Sequence, residues 1–325
     1  MNIFITGGAG YIGSATAETL LHNGHSVTIY DSLVTGHRAA VPAGAQFIQA
    51  DLGDSVVLQS ALLSQPYDAV MHFAAFIEAG ESMKDPGKYF KNNLTYSLGL
   101  IETAVQAGIR RFVLSSTAAV FQSSEDPLSE DSPLGPTNLY GHTKLMIEQA
   151  LEWYRQIYGL HYAALRYFNA SGGMSHRGEA HQPESHLIPL TLQVPLGQRE
   201  KIYIYGTDYP TPDGTCIRDY IHIRDLVSAH MLALDALGER DQLVYNLGNG
   251  SGYSVREVID TAREVTGHPI PAIETPRRHG DAPRLVASSE RIRLELGWQP
   301  QIPDIKAIIA SAWAWHQAHP HGYDR

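Results

Sequence analysis

The sequence predicts an α/β protein built on a doubly wound parallel sheet. Three observations carry that prediction. Short apolar runs alternate with helical patterns through the first half, a glycine turn follows the first run, and Ser115-Ser116-Thr117 closes a later one. The runs are Ile3–Thr6, Val27–Tyr30, Phe47–Gln49, Ala69–Phe73 and Phe112–Ser115. Helical patterns near Ile12–His22, Ser55–Leu63, Gly87–Ala107 and Asn138–Tyr158 lie between and after them. Short buried strands alternating with helices pair in parallel, because each helix carries the chain back across the sheet. His161–Arg166 reads as one more strand.

After Asn169 the texture changes. Residues 171–185 are rich in Gly, His, Pro and Glu, a loop composition. Residues 186–197 read as helix, Lys201–Tyr205 as strand, Gly206–Gly214 as turns and Val244–Leu247 as strand. Ser254-Val255-Arg256-Glu257 has capping-box spacing and predicts a helix start. The second half therefore weaves between a small domain and the main sheet. The expected division is 1–168, with later segments near 221–250 returning to it, and a smaller C-terminal domain over 169–325. The tail His319–Arg325 reads as a solvated end.

Composition narrows the partners. The 325 residues are 43% hydrophobic and 18% charged, enough for a sizeable core. A net charge of −10 argues against nucleic acid and anionic membranes, while a few local arginines still allow an anionic small molecule. One cysteine, Cys216, excludes an intramolecular disulfide and suits a reducing compartment. No basic, then apolar leader comes first, and no apolar stretch reaches the roughly 18 residues of a membrane span. A cytoplasmic location is the expectation.

Gly7, Gly10 and Gly13 stand at Gly-x-x-Gly-x-x-Gly spacing between a strand and a helix. Glycines permit a tight turn and leave room for a pyrophosphate at the helix N-terminus. Asp31 ends the second run about 20 residues on, where an acid accepts from ribose hydroxyls and repels a 2′-phosphate, so NAD is favoured over NADP. Asp51-Leu52 reads either as a contact to the adenine edge or as a plain turn. Phe73-Ala74-Ala75 offers small side chains for close approach of a cofactor, or ordinary core packing. Asn92-Asn93 either binds backbone near the site or faces water.

Tyr140 and Lys144 are four apart, so on a helix the ammonium stands on the face of the phenol. A nearby positive charge is expected to pull the phenol below its usual value of about 10 and make it a base or acid for an alcohol carbon exchanging hydride. Ser115 and Thr117 lie where open α/β sheets place ligands, and a hydroxyl there can hold the substrate beside Tyr140. Ala118 and Ala119 follow, so the extra acid that a dehydratase needs is missing. His176, His181 and His186 are five apart with no familiar zinc or iron pattern, and no metal is expected. Arg218, Arg278 and Asp281 read either as forks for a diphosphate or as surface ion pairs.

Together these pieces resemble the extended short-chain dehydrogenase/reductase family, and within it the UDP-hexose 4-epimerase branch. Likeness runs from Thr6 to Pro320 through Thr6–Ser14, His72–Ser82, Ser115–Thr117, Tyr140–Lys144, Arg166–Asn169, Tyr205–Thr211, Arg218–His222, Asn246–Gly248 and Arg277–Asp281. The resemblance implies a Rossmann-type NAD domain and a smaller C-terminal domain for a UDP-sugar. It implies interconversion of UDP-glucose and UDP-galactose, as in galactose metabolism, by oxidation at C4, rotation of the 4-ketose and re-reduction. Tyr140 and Lys144 would be catalytic with Thr117. Gly7, Gly10, Tyr11, Ile12, Gly13, Asp31, Asp51, Leu52, Phe73, Ala74, Ala75, Asn92, Ser115 and Tyr167 would join Tyr140 and Lys144 around NAD. Asn169 and the two arginines would take the diphosphate, Leu187 the uracil, and Asp281 the ribose. Tyr203 and Tyr205 would flank that pocket, and Leu285 would line the sugar. The family commonly dimerises through two helices, here near 87–107 and 138–158.

Three departures stand out. Phe121 is followed by Gln122 and Ser123 where the family often has Gly after the aromatic. Ile77 stands where some relatives carry lysine. Leu285 replaces a tyrosine of some relatives, which leaves room for N-acetylated UDP-hexosamines. A nucleotide-sugar reductase, decarboxylase or dehydratase of the same fold is the alternative. A silent NAD-sensing scaffold is a third reading, opposed by Tyr140, Lys144 and Thr117 occurring together.

Overall fold

The computed structural model describes residues 1–278 and 281–323; His279, Gly280, Asp324 and Arg325, part of the arginine motif and of the tail read above, lie outside them. Strands β1 (Asn2–Thr6), β2 (Ser26–Asp31), β3 (Gln46–Gln49), β4 (Ala69–His72), β5 (Arg111–Thr117) and β6 (His161–Tyr167) join the strand Gln242–Leu247 in one parallel sheet. Its order is Gln242–Leu247, β6, β5, β4, β1, β2, β3. Beyond β1 the chain builds first to one side and then to the other, so a crevice opens outside the carboxyl ends of β1 and β4.

Side-chain alternation explains the layers. Ile3 and Ile5 point to one face with Ala15 and Leu20 of the helix Tyr11–His22 and Leu226 and Leu234 of Ile223–Ala236. Phe4, between them, points to the other face, with Leu58 and Leu62 of Ser55–Leu63, Leu100 and Ile101 of Tyr96–Gln106, and Ile147 and Leu151 of Leu139–Tyr158. A strand has a side-chain period of two, so one strand feeds two cores. The second half builds its own core from Ile188, Leu192, Ile202, Ile204, Val258, Ile259, Ile308 and Ile309. The capping box forms: Glu257 N–H donates to Ser254 Oγ at 3.1 Å, and Ser254 N–H to Glu257 Oε2 at 2.7 Å. Among the described residues no helix is long and apolar enough to cross a membrane.

Three expectations change. The helical stretch near 87–107 is Pro86–Tyr89, a π-helical segment Phe90–Thr95, and Tyr96–Gln106. The wide turn carries buried Asn93, whose amide bonds Phe76 N–H at 2.9 Å and Phe76 C=O at 2.8 Å, clamping the chain that leaves β4. The helix read over 186–197 is shorter, Leu187–Leu192. In the tail Pro320 and His321 are exposed as expected, but Tyr323 is not. That side chain is buried against Trp315, and its hydroxyl accepts from Gly178 N–H at 3.1 Å. Aromatic docking onto a remote loop leaves no local signal in the sequence.

Candidate active site

The glycine turn is made by close approach. Gly7 has φ +73°, and a Cβ there would lie 2.4 Å from Ala74 N. A Cβ on Gly13 would lie 2.2 Å from the Gly7 oxygen. Gly10 caps the helix that begins at Tyr11 and Ile12. Phe73 and Ala74, expected near the cofactor, thus form one wall of the turn. Ala75 continues that wall half-buried, and Phe73 packs on the His230 ring at 5.1 Å. Asp31 ends β2 with each carboxylate oxygen accepting one backbone N–H, Ala9 on Oδ2 and Leu33 on Oδ1, both at 2.9 Å. Burial pushes its carboxyl up, and the two backbone bonds oppose that. A cradle with no room for Cβ atoms and a carboxylate at its rim suit a dinucleotide. The residues fit NAD.

Other cofactor candidates divide. Asp51 is exposed, and its Oδ1 accepts from Gly53 N–H at 2.7 Å, which is the turn geometry. Leu52 packs half-buried against the core under β3 and β4. Asn92 donates to Asn93 Oδ1 at 2.9 Å, so it supports the residue that does the clamping. Tyr11 donates to Gly172 C=O at 2.7 Å and ties the first helical turn to the loop after β6.

Tyr140 enters the crevice because its helix is pinned at the start. Asn138 Oδ1 accepts from Gly141 N–H at 2.9 Å, and Ser82 Oγ from Tyr140 N–H at 3.2 Å. A Cβ on Gly141 would lie 2.2 Å from the Ala119 oxygen, so only glycine lets the helix sit against the turn after β5. That contact sets the Tyr140 helix beside the end of β5, which carries Thr117. Lys144 is 1% exposed, and its ammonium donates to Ser115 C=O at 2.6 Å. Tyr167, also buried, pairs through its hydroxyl with buried His230.

The electrostatics correct one expectation. Burial pushes Tyr140 up to about 12, the Thr117 hydrogen bond pulls it down, and the Glu78 charge adds to the rise. Burial brings Lys144 down to about 8 against the opposing charge of Glu148. Burial therefore outweighs the lowering expected from Lys144, and Thr117 opposes the rise. Desolvation of a phenolate outweighs a partner that is itself desolvated and turned to a carbonyl.

One cavity collects most of the substrate candidates. Asn169, Leu187, Tyr203, Tyr205, Arg218, Arg278 and Asp281 all line it. Arg218 donates to Ile217 C=O at 2.9 Å and Ala282 C=O at 2.8 Å, and stands 3.9 Å from Asp281. Arg278 lies 3.7 Å from the other Asp281 oxygen, with its guanidinium 4.1 Å above the Tyr205 ring. Two guanidiniums share one carboxylate, so this wall carries surplus positive charge suited to phosphate oxygens. Thr117 and Leu285 do not line this cavity. Leu285 packs beside Ala118, Phe121, Leu145 and Phe168, next in sequence to Thr117 and Lys144.

The cavity also takes in Tyr220, Cys216, Glu179 and His186, which sequence reasoning did not select. Tyr220 adjoins the arginine motif and could have been found there. Glu179 and His186 belong to the stretch read as an ordinary polar loop. In that loop His181 and His186 converge on Glu179 and Glu184, and His176 is not part of the group. Burial of Glu179 would raise its carboxyl, but His186 and His181 hold it below the usual range. Burial would lower His186, but Glu179 and Glu184 push it well above the usual value.

Known proteins share this fold from end to end. Residues 3–248 match the NAD dependent epimerase/dehydratase family. A UDP-glucose 4-epimerase of Halalkalibacterium halodurans is 47% identical over 99% of this chain and 98% of its own. A crystal structure of a UDP-glucose 4-epimerase superposes with a TM-score of 0.97 at 49% identity, over 100% of both chains. A UDP-glucose 4-epimerase from Brucella ovis, solved in complex with NAD, gives 0.93 at 39% identity over 99% of both chains. Match length and shared fold agree with the glycine cradle, half-buried Tyr140 and buried Lys144: the chain belongs to the NAD dependent epimerase/dehydratase family.

Proposed function

We propose that the protein is an NAD-dependent UDP-hexose 4-epimerase that interconverts UDP-glucose and UDP-galactose. The single observation that carries this reading is Tyr140 one helical turn from buried Lys144, whose ammonium bonds the Ser115 carbonyl at the carboxyl end of β5, in a chain 47% identical over 99% of its length to a UDP-glucose 4-epimerase.

NAD, when bound, accepts a hydride from the sugar C4 and returns it to the other face. Every other part of the work belongs to side chains. Tyr140 takes the proton of the 4-hydroxyl as C4 is oxidised and gives it back as C4 is reduced. Thr117 holds that hydroxyl and keeps the phenol from rising further. Lys144 anchors the end of β5 and supplies a positive group near the nicotinamide ribose. Arg218, Arg278 and Asn169 hold the diphosphate, Leu187 the uracil, and Asp281 the ribose. Grip on the nucleotide rather than the hexose leaves the 4-ketose free to turn.

Finer parts of the reading have their own supports. The first 168 residues with 221–250 serve the cofactor, and the remainder serves the nucleotide sugar. Leucine at 285 leaves room for an N-acetyl group, so UDP-N-acetylhexosamines are turned over as well. Exposed Trp153, Ile157 and Phe90, on or beside the helices near 87–107 and 138–158, suit a homodimer. One cysteine and the acidic balance suit the cytoplasm.

The test is incubation of the purified protein with UDP-galactose, and separately with UDP-N-acetylgalactosamine, with the epimers resolved. UDP-glucose should accumulate to equilibrium with no net NADH. Unchanged UDP-galactose, or NADH accumulating in proportion to product, would overturn the reading.

A further inference from the structure

The loop between Gly172 and Leu187 gathers four side chains that the epimerisation does not use together. Glu179, His181, Glu184 and His186 each offer one ligand atom, and all four atoms lie within 4.8 Å of one another. Both imidazoles turn Nδ1 to the same carboxylate oxygen, Glu179 Oε1, at 3.0 Å from His181 and 2.7 Å from His186. Glu184 Oε1 stands 3.0 Å from His186 Nδ1. We propose that this Glu-x-His-x-x-Glu-x-His group is a site for one divalent transition cation of the zinc type, set in the loop that walls the nucleotide-sugar cavity.

The donor set and spacing support it. Two imidazole nitrogens and two carboxylate oxygens match the preference of zinc for four mixed N and O ligands. Bonds of about 2.1 Å in a tetrahedron put ligand atoms about 3.4 Å apart, so the three pairs now at 2.7–3.0 Å would open by about 0.4–0.7 Å and the remaining pairs, all within 4.8 Å, would settle to the same spacing. Without a cation, both Nδ1 atoms must carry protons to satisfy a single oxygen. A cation would take the Nδ1 lone pairs in place of those hydrogens, with each ring keeping a hydrogen on Nε2.

The surroundings hold the ligands in place. Glu184 Oε1 accepts from Ser185 N–H and His186 N–H, both at 2.8 Å. His37 Nε2 lies 2.8 Å from Ala180 C=O, inside the group. Arg177 pairs with Glu18 at 3.1 Å, which ties the loop to the cofactor-side helix. Such outer contacts orient ligands in metal sites. Glu179 and His186 also reach the cavity wall, so the cation would brace the loop against the nucleotide-sugar site without touching Tyr140.

The experiment uses tag-free protein with its NAD bound, dialysed free of metal and then equilibrated with zinc chloride. Zinc bound per chain is measured by mass spectrometry, and the Co(II) form is read by its visible absorption. Wild type should take up one zinc per chain and show the intense bands of four-coordinate cobalt. The His181→Ala, Glu184→Gln variant should bind zinc at least tenfold more weakly, with unchanged circular dichroism and NAD content. Folded wild type that takes up no zinc at micromolar free metal holds protons here instead, and overturns the proposal. Six-coordinate cobalt spectra, or a folded variant with wild-type zinc affinity, would overturn it too. Because no readout needs a sugar nucleotide, failure here leaves the epimerase reading standing.

Discussion

The Lys144 ammonium lies 2.6 Å from the Ser115 carbonyl oxygen, inside the protein. This bond fastens the helix that carries Tyr140 to the end of β5, which carries Thr117, so one lysine fixes the distance between the proton acceptor and its hydroxyl partner. Burial holds that lysine at about 8, below its usual 10.5. Between those values the unfolded chain binds more protons than the folded one, so the Lys144 contribution to stability rises with pH across that window. Below pH 8 the burial penalty is present in full. Lys144→Met, which removes the charge, should therefore gain on wild type in urea melts at pH 7, and lose that gain by pH 10. An equal difference at both pH values would contradict the assignment.

Thr117 is the group that restrains the Tyr140 phenol, so its loss should appear as a pH effect. Thr117→Val should lower turnover at neutral pH and move the rising limb of the rate profile to higher pH, while Thr117→Ser restores both. Tyr140→Phe should cost about 10²–10⁴ in kcat, the range of positioned acid–base catalysis, with NAD retained. The check is a kcat profile from pH 6 to pH 10 for each variant. A Thr117→Val profile that falls without shifting would leave Thr117 a purely packing residue.

What the sequence made legible follows from range. The sheet, the glycine turn and the Tyr140 helix are periodic or local patterns, and the strands fell where the apolar runs stood. The arginine pair was legible as chemistry, and Arg218, Arg278 and Asp281 do meet across one cavity. Opaque features depended on distant contacts. The π-helical turn exists because Asn93 reaches Phe76, and Tyr323 is buried because Gly178 lies opposite it. The sign of the Tyr140 shift was misread because i and i+4 spacing reports proximity and says nothing of burial.

The glycine cradle predicts a cofactor phenotype. A Cβ at position 13 would meet the Gly7 oxygen at 2.2 Å, a contact with backbone that cannot swing aside. Gly13→Ala should therefore open the turn and release NAD, whereas Gly80→Ala, in open space, should not. The measurement is NAD content of the purified variants, with circular dichroism as the folding control.

The two arginines should separate by burial. The Arg218 side chain is 17% exposed and that of Arg278 60%. Hydrogen bonds to charged groups are worth about 1.5–3 kcal/mol, or roughly 10- to 150-fold in affinity. Arg218→Ala should lie at the upper end for UDP binding by calorimetry. Arg278→Ala should lie at the lower end and shrink further in high salt, since screening acts on exposed charge. Equal losses that ignore salt would place neither guanidinium on the diphosphate.

Glu148 and Arg166 make the most enclosed ion pair near the site, each side chain 6% exposed. Arg166 Nη2 donates to Oε2 at 2.7 Å and Nε to Oε1 at 3.1 Å, while the Ser116 hydroxyl also donates to Oε1. Removing one partner leaves a buried charge unpaired, so Glu148→Leu should cost about 3–5 kcal/mol in denaturant unfolding. Glu148→Leu with Arg166→Met should recover much of that, because a packed apolar pair carries no desolvation penalty. Glu148 is also the charge that supports Lys144, one helical turn away. Its removal should lower Lys144 further and move the stability window described above to lower pH. If the single variant unfolds like wild type, the pair is solvated in solution and has no hold on the lysine.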